Sequence, residues 1–161
     1  MYMMSACLAG CACRYDGGSC TRDWAKAAAR AKECVLCCPE QLGGLGTPRE
    51  PAELTGDGME VLRGGARVMT ASGRDVTRSF LLGAYRALAL ARHNGVELAV
   101  LKSRSPSCGC AEVYDGTFSG ALCGRDGVTA ALLNHNGIEC VTEDEFERRQ
   151  NDGQERADTG N

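Results

Sequence analysis

Residues 95–109 read GVELAVLKSRSPSCG. The mostly apolar run 96–101 has the length of a buried strand, and the chain enters it through Asn94-Gly95, a pair suited to ending a helix in the left-handed conformation. Upstream, Phe80, Leu81, Ala84, Leu88 and Ala91 fall on one helical face, so a long helix starting at Asp75 or Thr77 leads into this strand. A helix that delivers the chain to a buried strand, which then opens into a polar loop, is the repeating unit of a parallel sheet.

The same alternation extends outward in both directions. Residues 2–6 read as a first strand running into a loop at Gly10, and the Ala-rich segment 24–32 as a helix capped by Thr21 or Asp23. CVLC at 34–37 is a second buried strand stopped by Pro39, with Gly43, Gly44, Gly46 and Pro48 making an irregular loop after it. Residues 52–76 carry short β-prone pieces at 60–62 and 67–69 between Gly pairs, suggesting a hairpin or excursion outside the main sheet. Beyond Cys110 come a Gly-punctuated stretch, a helix at 128–134, a strand at 138–141 and a closing helix at 143–149. The polar residues 151–161 read as a disordered tail. The expected fold is α/β: one compact domain over residues 1–150, with a mostly parallel, Rossmann-like sheet, helices on both faces and a small β excursion.

Composition narrows the function. A chain of 161 residues with 43% hydrophobic residues buries one core, and its 21 glycines with only 5% aromatics favour tight loops around an Ala/Val/Leu interior. A net charge of −3 gives no strong basic field for nucleic acid or an anionic membrane, and no apolar run is long enough to span a bilayer. A small-molecule substrate suits such a chain better. The 11 cysteines are an odd number in a chain with a good hydrophobic core, so reduced thiols in the cytoplasm are expected rather than a disulfide scaffold.

Cys7, Cys38 and Cys108 each lie just past a strand, beside Gly or Pro, in loops that a doubly wound sheet gathers at one edge. Three converging thiolates select zinc, copper(I) or an iron–sulfur cluster, and leave one coordination position open to substrate. Pro39 turns the chain after Cys38, and Gly109 permits close backbone approach after Cys108. Cys34 and Cys37 point to opposite faces of their strand and cannot chelate one metal, while Cys34, Cys123 and Cys140 read as small hydrophobes. Glu40, Ser103, Ser105 and Ser107 are placed for proton handling, with Lys102 and Arg104 adding positive potential. His93 and His135 read as helix-end residues. Three functions fit these thiols: an open-site metalloenzyme, a structural or regulatory zinc protein that closes its site with a fourth cysteine, or a thiol oxidoreductase using Cys34 and Cys37.

The motifs SACLAG (5–10), CRYDG (13–17), CPE (38–40), Gly44-Leu45, PREP (48–51), GRDVT (73–77) and KSRSPSCG (102–109) resemble those of the thiouracil desulfurase family. The resemblance runs from residue 1 to about residue 143. It implies a 4Fe-4S cluster held by Cys7, Cys38 and Cys108, with the fourth iron taking the sulfur of a thiolated pyrimidine while water replaces it on the ring. Thiouracil would give uracil and hydrogen sulfide without net redox change. On the same resemblance Glu40 is the acid/base group and Ser105 the functional serine, with Ser103 and Ser107 close by. The first strand is shorter than is usual in the family, and Cys11, Cys20, Cys34, Cys37, Cys110, Cys123 and Cys140 are thiols such a site does not require.

Overall fold

The structure, a computed structural model, describes residues 1–158. In chain order the first half contains β1 (Tyr2–Ser5), α1 (Asp23–Arg30), β2 (Cys34–Cys37), α2 (Pro39–Leu42), β3 (Ala52–Leu54), α3 (Gly58–Leu62), β4 (Val68–Thr70) and α4 (Thr77–His93). The second half adds β5 (Leu98–Leu101), β6 (Val113–Tyr114), β7 (Leu122–Cys123), α5 (Val128–His135), β8 (Glu139–Thr142) and α6 (Glu143–Asp158). Strands β1, β2, β5 and β8 form one all-parallel sheet in the order β2-β1-β5-β8, with Tyr2 opposite Cys34, Met3 opposite Ala99 and Leu98 opposite Glu139.

Both faces of this sheet are covered, so its strands are apolar on both sides. Met3, Cys37, Ala99 and Leu101 pack with Phe80, Ala84 and Leu88 of α4 and Leu133 of α5. The alternate residues Met4, Val100 and Val141 pack with Ala25 of α1 and Phe146 of α6 on the other face. Cys34 and Cys37 fall in the opposite layers, as expected of a C-x-x-C within a strand. The α/β architecture expected from the sequence is therefore present, and β3 with β4 forms the antiparallel excursion.

Several local expectations are corrected. Residues 60–62 are helical, because Asp57 accepts the Glu60 amide at 2.9 Å while Glu60 accepts the Asp57 amide at 2.7 Å, a capping box that starts α3. Neither Thr21 nor Asp23 caps α1, whose N-cap is Arg22. The Gly-punctuated stretch forms the antiparallel pair β6–β7. The final helix continues past residue 149 to Asp158, taking in most of the segment expected as a disordered tail, and residues 159–161 lie outside the described residues. Ion pairs of Glu145 with Arg148 and Arg149, one turn apart, support this polar helix where it leaves the core. Among the described residues no helix is long and apolar enough to cross a membrane.

One contact matters for the site. A Cβ on Gly83 would lie 1.9 Å from the Pro39 carbonyl oxygen, and one on Gly43 would lie 2.0 Å from that of Ser79. Helices α2 and α4 thus touch backbone to backbone, which holds the Cys38-Pro39-Glu40 turn rigidly against the long helix.

Candidate active site

The chain leaves β1 towards β2 on one side and reaches β5 on the other, so the order reverses between β1 and β5. A crevice opens there at the carboxyl ends of the strands. Cys7 lies in a 3-10 turn, Ala6–Ala9, directly after β1, and Gly10 closes that turn with φ 99° and its amide on the Ala6 and Cys7 carbonyls. Cys38 follows β2 as the N-cap of α2, with Pro39 at the first helical position where its missing amide costs nothing. Cys108 ends the loop after β5. All three line one cleft of about 610 Å³ together with Glu40, Ser103 and Ser105.

Cys7 and Cys108 are buried and Cys38 half-buried. Burial, followed by the neighbouring Cys37, Cys38 and Glu40, pushes the Cys108 thiol well up despite a hydrogen bond with Ser5. Cys38 is raised by its hydrogen bond with Cys13 and by burial. Cys13, given no role from the sequence, is buried in the same cleft, and its carbonyl accepts from the Cys38 thiol at 3.8 Å. The Cys38 side chain lowers the Cys13 pKa, but Cys7 and burial outweigh that and lift the thiol to about 11. Thiols gathered in one cleft among cationic side chains are suited to a soft metal, which deprotonates its ligands.

A mononuclear zinc needs thiolates close enough to share one ion at about 2.3 Å. Among the described residues no three His, Cys, Asp or Glu side chains form such a set. A cluster takes one thiolate per iron, and three thiols lining one cleft are the donor set such a group binds.

Glu40 sits on the first turn of α2, and its Oε2 accepts a 2.6 Å hydrogen bond from Arg49 Nε, both side chains being largely buried. Arg49 also donates to the carbonyls of Cys13, at 3.0 Å, and Gly46, at 3.2 Å. It thereby ties the Cys13 loop to the carboxylate. The sequence reading missed Arg49, although its place in PREP was the available signal.

The three serines separate by location. Ser105 lines the cleft, and its Oγ accepts the amides of Cys108 at 3.0 Å and Ser107 at 3.2 Å, fixing the turn that presents Cys108. Ser103 also lines the cleft, but its hydroxyl donates to Glu143 and accepts from Lys102. Ser107 is buried against Thr129 at 2.7 Å, away from the cleft lining. Glu143 was another residue with no expected role. It is 1% exposed and receives Lys102 Nζ, the Ser103 amide and the Ser103 hydroxyl.

The remaining expectations concern residues off the cleft. His93 and His135 are the last residues of α4 and α5, as the sequence indicated. Cys34, Cys123 and Cys140 are half-buried rather than fully buried, because each sits at a sheet edge or beneath a loop. The Cys140 thiol donates to the carbonyls of Ala130 at 3.7 Å and Ile138 at 3.6 Å.

The family model for 2-thiouracil desulfurase matches residues 3–145. This chain belongs to that family. The uncharacterised Bacillus subtilis (strain 168) protein YbbK is 44% identical over 147 residues, spanning 91% of this chain and 97% of its own. The solved structure of a 4Fe-4S-dependent thiouracil desulfidase, TudS, matches with a TM-score of 0.82 and 41% identity, covering 91% of this chain and 93% of that one.

Proposed function

We propose that this member of the 2-thiouracil desulfurase family is a 4Fe-4S-dependent desulfidase that converts a thiolated pyrimidine to its oxo form, with Cys7, Cys38 and Cys108 holding the cluster. The carrying observation is the delivery of three cysteines from loops after three parallel strands into one cleft that also holds the half-buried carboxylate of Glu40. The reaction exchanges C=S for C=O, with thiouracil and water giving uracil and hydrogen sulfide, so no electrons are transferred overall. When bound, the cluster supplies an iron without a cysteine ligand that polarises and accepts sulfur.

The chain supplies the proton chemistry and the positioning. Glu40 faces the cleft with one carboxylate oxygen held by Arg49, leaving the other to take a proton from attacking water and return it to the ring or the departing sulfur. Ser105 uses its lone pairs to hold the Cys108 turn, so its O–H is available to a substrate heteroatom. The rigid α2–α4 contact keeps Glu40 in register with Cys38. The proposed setting is the reducing cytoplasm, where free thiols and an oxygen-sensitive cluster persist.

Anaerobic purification, iron and sulfide analysis, and assay of sulfide release from 2-thiouracil and 4-thiouracil test this reading. Replacing Cys7, Cys38 or Cys108 with Ala is expected to remove most of the iron, while Cys34→Ala and Cys123→Ala retain it. Full iron in any of the first three variants excludes that cysteine as a ligand.

A further inference from the structure

At the rim of the cleft an aromatic ring is presented to solvent with nothing stacked on it. Phe118 is 40% exposed and lines the same cleft as the three cysteines. It sits at the tip of the β6–β7 hairpin with φ 56°, a left-handed conformation unfavourable to a residue with a side chain. The loop around it is built to hold that conformation. Glu53 on β3, only 8% exposed, accepts the Gly116 amide at 3.1 Å and the Phe118 amide at 3.4 Å. Asp115 accepts both the amide and the hydroxyl of Thr117, at 2.9 and 2.6 Å. Gly116 has φ 96°, and a Cβ there would lie 2.5 Å from the Leu54 carbonyl oxygen, so the hairpin tip packs directly on the excursion.

A ring held at the cleft mouth by a buried carboxylate has its apolar face free to be covered by a flat molecule entering the cleft, which removes that face from water. Two other aromatics line the cleft: the Tyr15 ring carries the Arg14 guanidinium at 5.7 Å, and Tyr114 is half-buried on β6, so Phe118 is the one at the hairpin tip with its face open. Among the described residues no ring or cation occupies the face of Phe118.

Resting on the proposed desulfidase reading, we infer that Phe118 is a substrate-binding residue whose ring stacks on the planar pyrimidine, with Glu53 and the Asp115–Gly120 turn holding it in place. Stacking recognises a flat heteroaromatic ring whether its substituent is sulfur or oxygen, so it binds substrate and product alike. Phe118 therefore acts on ring affinity, and the thiol end of the cleft acts on the sulfur.

The test uses anaerobically prepared, cluster-loaded protein and uracil as a probe that does not react. Phe118→Ala is expected to weaken uracil binding, measured by calorimetry, by about fivefold to hundredfold, the loss seen when a base loses an aromatic platform. KM for 2-thiouracil should rise by a similar factor, with the loss falling on KM more than on kcat. Phe118→Tyr should bind close to the wild type and Phe118→Leu clearly more weakly than Phe118→Tyr. Iron content and melting temperature show whether each variant is folded and loaded, and the exposed position makes failure to fold an unexpected result. Unchanged uracil affinity in Phe118→Ala, or equal affinities for the Leu and Tyr variants, would overturn the stacking role. A wild type that releases sulfide while its uracil affinity ignores Phe118 refutes this inference and leaves the desulfidase reading standing. A wild type that binds uracil through Phe118 but releases no sulfide does the reverse.

Discussion

Two carboxylates flank the carboxyl edge of the sheet, each beside a cation, one fully buried and one half-buried, and they differ in how completely they are satisfied. Glu143, at the start of α6, receives three donors from Lys102 and Ser103 and is not part of the cleft lining. Glu40, at the start of α2, lines the cleft and has its 2.6 Å bond from Arg49 at one oxygen. A carboxylate with both oxygens engaged fixes structure, while one with a free oxygen over a cavity can exchange protons. Engagement of both oxygens, together with deeper burial, separates the structural acid from the proposed catalytic one.

The largest test of that contrast is Glu40→Gln. It keeps size and most hydrogen bonding but cannot accept a proton, so sulfide release should fall about a hundredfold to ten-thousandfold while iron content is unchanged. Near-normal turnover would make Glu40 a second structural carboxylate and shift the proton role to Ser105. Glu143→Ala should act on stability instead, costing about 3 kcal/mol in denaturant unfolding, because it strands the Ser103 amide and Lys102. A Glu143→Ala variant that melts like the wild type but has lost activity would invert the assignment.

A smaller effect is expected of Gly83→Ala, which forces the α2 backbone away from α4 and should cost about 1–3 kcal/mol. It moves Glu40 and leaves Glu143 untouched, so activity per folded molecule should fall in this variant too. The least effect is the pH dependence of Glu143. Burial favours its neutral form, but the hydrogen bonds from Lys102 and the Ser103 amide, with the lysine charge, outweigh this and hold the carboxyl below its ordinary 4.5. A depressed folded-state pKa adds stability that is complete above 4.5 and lost as the pH falls through the lower folded value. Unfolding midpoints taken from about pH 6 to about pH 3 should show less acid sensitivity in Glu143→Gln than in the wild type.

The sequence carried the sheet better than the site's support. Runs such as 34–37 and 98–101 are apolar on both faces, which is the local signature of a covered parallel strand, and all four strands lie where expected. Short elements were less legible. Residues 60–62 combine β-prone side chains with a helix start at Asp57, and the capping box won because it satisfies two amides at once. The three proposed cysteine ligands, Glu40 and Ser105 stand in motifs beside strand ends, and all of them line one cleft. Their partners were not legible in this way, because what places Glu143 against Ser103, or Glu53 beneath Phe118, is the tertiary fold rather than any local spacing.

The reversal of strand order between β1 and β5 also governs when the site can exist during synthesis. The proposed ligands lie at residues 7, 38 and 108, so the pocket draws on chain made early and late. The last of them is held by more than its own loop, since the amides of Val128 and Thr129, at the start of α5, bond the carbonyls of Pro106 and Ser107. A nascent chain that stops short of α5 has the first two thiols and no fixed third. Cluster loading thus belongs after closure of the fold, and iron content in a series of C-terminal truncations would read out how far the chain must emerge before its metal site is complete.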